Sequence, residues 1–169
     1  MTHHHERTEM SKAELALNQF QKGQGKEEGV GEWHLVDQSQ IDLFADATLD
    51  HQFIHVDPEK SAKLSPYKVT IAHGFLTLSL IPHLGSSVEA TSKSAYDGVV
   101  MGVNYGLDKV RFMSPVKVNS KVRARKELMD AEIKAPKTIQ LKYKITVEIE
   151  GEQKPACVAE SLSRLIYES

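Results

Sequence analysis

Apolar and polar residues alternate most regularly near the end of the chain. In "KTIQLKYKITVEIE", Ile139, Leu141, Tyr143, Ile145, Val147 and Ile149 are each separated by one polar or charged residue. A period of two puts them on one face of a β-strand. "GVVMGVNYGLDKVRFM" and "SKVRARKELMDAEI" upstream, and "PACVAESLSRLIYE" downstream of a "GEQK" turn, read as further long strands. Gly102 and Gly106 mark places for bends or bulges. Each long strand is expected to carry one apolar face, which predicts a curved antiparallel sheet.

The first half follows a different period. Ser11 and Glu14 have capping-box spacing ahead of Leu15, Leu17 and Phe20, predicting a helix over "SKAELALNQF". Four glycines in "QKGQGKEEGVG" predict a flexible loop, and "EWHLV" a short strand in which Trp33 and Leu35 alternate with polar neighbours. Asp37 and Gln40 cap a second helix that runs out near Leu49. Asp57, Pro58 and Glu59 open a third. From Ile71 to Leu84, apolar residues fall on nearly every face, which predicts a helix buried all round and ended or bent by Pro82. A sheet wrapped on that central helix gives an α+β fold.

Composition narrows the classes. A chain of 169 residues suits one domain over 11–169, with residues 1–10, including the tract His3 to His5, as a mobile tail. The net charge of −2 gives no broad attraction to nucleic acid or an anionic membrane, and no apolar run approaches the ~20 residues of a span. The lone Cys157 excludes an internal disulfide, and the cytoplasm is the expected location.

Candidate chemistry concentrates in "DATLDHQFIHVDPEK", residues 46–60. Asp57 is accounted for as a helix cap. Asp50 to His55 lies in the connection between two capped helices, where a carboxylate and an imidazole can project into one cleft. A metal reading would use His51 and His55 with Asp50 and His73, but His51 and His55 converge only if their segment is helical, so no metal is expected. His51 is expected at the surface and His73 as a packed histidine near the start of the central helix.

With the following "AHG" and downstream strands, the pattern "FADATLDHQFIHVDPEKSAKLSPYKVTIAHGFLTLSLI" resembles the MaoC-like hydratase/dehydratase family. That family includes (R)-specific enoyl-CoA hydratases, and the nodulation-protein-N-like branch is the nearest in appearance. The resemblance covers roughly residues 30–166. It implies the hot-dog fold, a homodimer joined edge to edge, and an acyl-CoA thioester entering a tunnel near the subunit boundary. It further implies that Asp50 and His55 activate water for addition to a trans-2-enoyl thioester and that the Gly74 N–H meets the thioester oxygen. CoA then arrives as part of the substrate, with no further cofactor. Gln52, Phe53, Phe75 and Asn104 are the candidate tunnel-lining residues. Leu49 and Lys68 stand where glycine is common in the family, and Gln52–Phe53 replaces Asn-Pro. A hot-dog thioesterase and a non-catalytic acyl-binding module are the competing readings, and which of Asp50 and His55 is the formal base stays open.

Overall fold

The structure, a computed structural model, describes residues 8–169, so the expected tail at 1–10 falls largely outside the described residues. The alternating segment forms β5 (Thr138–Ile149), whose six apolar residues all point inward and are buried. It lies between β4 (Ser120–Ala135) and β6 (Cys157–Tyr167), and β3 (Val99–Phe112) pairs with the far side of β6. Two short strands, β1 (Glu27–Val30) and β2 (His34–Val36), pair with β4 at the other side. All pairings are antiparallel, in the order β1-β4-β5-β6-β3 with β2 on β4. Full burial of each large β5 side chain contributes about 1.5–3 kcal/mol, so this strand anchors the fold.

The helices all precede the four long strands in the chain. Helix α1 (Lys12–Lys22) has the expected Ser11–Glu14 capping box and sets Phe20 edge-on to Tyr96 at 5.4 Å. Helix α2 (Gln38–Thr48) is capped by Asp37, a short α3 spans Phe53–Val56, and α4 (Pro58–Leu64) starts at the Asp57 cap with Pro58 in its first turn. The central helix is made of α5 (Gly74–Ser79) and α6 (Ile81–Ser86), followed by a 3-10 turn at Lys93–Tyr96. This is the hot-dog arrangement: an antiparallel sheet curved around a central helix.

Four expectations need correction. The central helix begins at Gly74, not Ile71, and runs to Ser86, with the expected interruption near Pro82, which has no N–H to offer the Leu78 carbonyl. Nor is it buried all round: Leu76, Leu80, Ile81 and Leu84 face the sheet, but Phe75 is 68% exposed and turned towards Phe112. The glycine-rich segment is not all loop, since Glu27–Val30 is a strand with a bulge between Glu27 and Gly29. Gly29 has φ 142°, a conformation that a side chain would strain, and the bulge separates Glu27, bonded to Arg125, from Glu28, bonded to Tyr143. In β2 the buried residue is Val36, while Trp33 and Leu35 are exposed. Finally, β3 has no apolar face buried within the chain. It is the terminal strand, and Val100, Met101, Val103, Tyr105 and Leu107 along it are exposed.

Candidate active site

Helix α2 ends on Leu49, which has φ 64° and ψ 22°. That left-handed conformation is the one a glycine would adopt freely, and for leucine it costs roughly 1–2 kcal/mol. Lys68, at the other position where glycine is common, has φ 65°. Both positions thus take the left-handed backbone that glycine adopts most freely. Beyond Leu49 the chain places Asp50 on the surface, and a single turn of helix, α3, then carries His55 inward. Asp50 to His55 is thus not wholly a loop. The turn is too short to show a helical period in the sequence.

The main chain holds His55 in place. Its Nδ1 lies 2.7 Å from the Ile71 carbonyl oxygen, and its own carbonyl accepts from Gln38 Nε2 at 2.7 Å. A carbonyl can only accept, so Nδ1 carries the proton and the neutral ring presents its lone pair at Nε2. Burial pulls the His55 pKa below its ordinary 6.5, with the Ile71 hydrogen bond opposing and His73 adding to the fall. The ring is therefore kept in the form that accepts a proton.

His73 occupies a more central place than packing alone. Its ring stacks on His55 with centroids 3.8 Å apart and planes 21° from parallel, and Phe44 covers it at 4.9 Å. His73 Nε2 donates to the Asp50 carbonyl oxygen at 2.9 Å, tying the Asp50 backbone to the stacked pair. Its buried Nδ1 has no hydrogen-bond partner. One carboxylate oxygen of Asp50 and one ring nitrogen each of His55 and His73 lie within 4.8 Å of one another. A single water making two hydrogen bonds of ~2.8 Å spans such a gap. The same three donors are the set that would hold a metal ion. His51 does not belong to it, because its Nε2 pairs with Asp46 at 2.8 Å on the surface.

Gly74 begins α5 beside this cluster, and its N–H, in the first turn, has no intrahelical acceptor. A Cβ at Gly74 would come within 3.0 Å of the Phe112 ring, so only glycine leaves the approach open. His55, Gly74, Thr77 and Phe112 line one cavity of about 310 Å³. Of the other candidates, Gln52 is exposed at the start of α3, and Phe53 is half-buried under Lys60, whose Nζ stands 4.7 Å from the ring centroid. Phe75 meets Phe112 edge-on at 5.9 Å. Asn104 is not brought to the cluster: it lies on β3 opposite Ser163 of β6, eight residues or roughly 26 Å along the strand from Phe112. His73 is the residue the sequence undervalues. Its one signal is its position immediately before the helix-opening Gly74.

A family model for the MaoC like domain matches residues 19–149. The chain is 50% identical to nodulation protein N of Rhizobium leguminosarum bv. viciae, over 86% of this chain and 88% of that protein. It is 47% identical to 3-hydroxyacyl-thioester dehydratase Z of Mycobacterium tuberculosis, over 84% and 90% of the two chains. Among solved structures, the unliganded (R)-hydratase PhaJ1 of Pseudomonas aeruginosa superposes with a TM-score of 0.61 at 20% identity, covering 81% of this chain and 79% of that one, a likeness of fold.

Proposed function

The chain belongs to the MaoC-like dehydratase family, whose members are hydro-lyases, and from that premise we propose that it hydrates a trans-2-enoyl-CoA reversibly to the (3R)-3-hydroxyacyl-CoA at Asp50 and His55. The observation that carries this site is the tautomer of His55: a buried ring with Nδ1 committed to Ile71 leaves Nε2 free to take a proton, with the Asp50 carboxylate in bridging range.

In the forward direction a water lies between the two groups. His55 Nε2 takes one proton as the oxygen attacks carbon 3, and the π-electron pair moves onto the thioester oxygen as an enolate. The Asp50 carboxylate accepts the other O–H, which stays with the product hydroxyl. The Gly74 N–H donates to the enolate oxygen, an interaction of the kind that stabilises developing charge. The His55 imidazolium then returns its proton to carbon 2, so one water is added and the site is restored. Dehydration is the same sequence reversed. Acid–base assistance of this kind is typically worth about 10²–10⁴ in rate.

The same reading includes a homodimer. A long terminal strand with a row of exposed apolar side chains and unpaired backbone groups is a pairing edge, and β3 fits that description. It takes CoA only as part of the substrate, without metal or other cofactor, and sets the reaction in the cytoplasm. No helix among the described residues is long and apolar enough to cross a membrane.

The deciding experiment follows the enoyl absorbance of crotonyl-CoA with the purified protein while a thiol reagent reports free CoA. Loss of the enoyl group without thiol release, unaffected by a chelator, is the expected result. Thiol release would make the protein a thioesterase, loss of activity with chelator would make it a metalloenzyme, and binding without turnover would make it an acyl-binding module.

A further inference from the structure

The inward positions of β6 run Cys157, Ala159, Ser161, Ser163, Leu165 and Tyr167. Two serines interrupt an otherwise apolar or aromatic series, where they face the helix side of the sheet. They line a second cavity of about 360 Å³, whose apolar wall includes Ile81, Pro82 and Leu141. Part of its lining is polar. Tyr143 donates to Glu28 Oε1 at 2.8 Å, and the Tyr96 hydroxyl stands 3.5 Å from that of Tyr143. Lys126 Nζ lies 4.2 Å from the Tyr143 ring centroid and 3.9 Å from Glu28 Oε2, beyond hydrogen-bond reach. The side chains of Lys126 and Glu28 are only 16% and 8% exposed. Lys126 and Glu28 thus form a long ion pair at the edge of the cavity, and each can still form a hydrogen bond with a polar group that enters it.

This cavity aligns with the candidate active site. The helix residues involved are Gly74 and Thr77 at the catalytic cavity, Leu78 and Ile81 at an intermediate one, and Pro82 and Gly85 at the polar one. Their spacing of 0, 3, 4, 7, 8 and 11 residues keeps to one side of the α5–α6 pair across its break at Leu80. The intermediate and polar cavities also share Ile81, Pro82, Asn104 and Ser161. From Gly74 to Gly85 the stripe is about 16 Å long, the length scale of a medium acyl chain.

Building on the proposed hydratase function, we infer that the polar cavity is a distal acyl-recognition site, and that the preferred substrate carries a neutral oxygen, a hydroxyl, several carbons beyond the reacting double bond. A hydroxyl can accept from Lys126 and donate to Glu28 Oε2, matching both open groups. A plain alkyl end would displace solvent from this ion pair without giving either group a hydrogen bond. A carboxylate end would face Glu28 with like charge.

Binding tests this without requiring turnover. Calorimetry with the wild-type protein would compare decanoyl-CoA, ω-hydroxydecanoyl-CoA and the ω-carboxyl analogue, with octanoyl and dodecanoyl pairs to vary the reach. The hydroxylated chain is expected to bind at least about tenfold more tightly than both others at one chain length, the preference collapsing in Lys126→Met and in Glu28→Gln. Equal or tighter binding of the alkyl chain at every length by the wild-type protein would overturn the inference, whatever the variants do. So would a preference that survives both substitutions. If crotonyl-CoA is not hydrated but the hydroxyl preference holds, the hydratase reading fails and the recognition site stands.

Discussion

At the Gly74 end of the α5–α6 stripe the functional side chains are held by the main chain, whereas at the Gly85 end they hold one another. His55 and His73 each spend one ring nitrogen on a carbonyl oxygen, of Ile71 and of Asp50, and their rings stack. Their protonation pattern and orientation therefore follow from the backbone path and tolerate little change around them. Glu28, Tyr143 and Lys126 come from the neighbouring strands β1, β5 and β4, and their polar contacts with one another are made between side chains. Such a cluster can be altered without disturbing the reacting end. In the proposed account the chemistry falls where the main chain fixes each ring, and the selectivity falls where side chains contact one another.

The largest expected effect comes from breaking the fixed end. His55→Ala removes the proton acceptor, and kcat for crotonyl-CoA is expected to fall about 10²–10⁴-fold in steady-state assays. A smaller loss should follow His73→Phe, which keeps a stacked ring but releases the Asp50 carbonyl. Misplacing the carboxylate in this way is expected to lower kcat by up to about 10²-fold with KM little changed. Lys126→Met, by contrast, should change the choice between alkyl and hydroxylated chains.

The pH profile sharpens the same contrast. Burial lowers the His55 pKa below 6.5, and the proposed mechanism uses the neutral ring. Activity should therefore be retained as pH falls to 6.5 and lost only below it, as the ring takes up a proton. The acid limb of kcat/KM against pH should lie below 6.5 in the wild type and stay there in Lys126→Met. The smallest effect concerns neither end directly. Leu49→Gly relieves a left-handed leucine, and denaturant unfolding should show a gain of about 1 kcal/mol.

Much of this architecture is legible in the sequence, for physical reasons that also explain what is not. The β5 alternation declares its strand because one face is fully buried, and the Asp57–Pro58 start declares α4 because capping is local. Strand β1 is hidden by glycines and glutamates, since it is held by pairing with β4 and not by an apolar face. The exposure of β3 reflects its terminal place in the sheet, which no local pattern encodes. Asp50 and His55 stand out through their resemblance to a family signature. The role of His73 arises only when α3 folds against the start of α5 and brings two rings into contact. The Glu28–Tyr143–Lys126 cluster is equally invisible, being assembled from residues as much as 115 positions apart.

The most direct test of the central claim is the turnover of crotonyl-CoA by Asp50→Asn beside the wild type, each first shown to melt as a folded protein. The substitution keeps the size of the side chain and its capacity to cap Gln52, but removes the charge that holds the reacting water. A fall in kcat of about 10²-fold or more with the fold intact is the predicted result. Turnover within about twofold of wild type would contradict it, because an activity that survives loss of this carboxylate does not depend on a water held between Asp50 and His55.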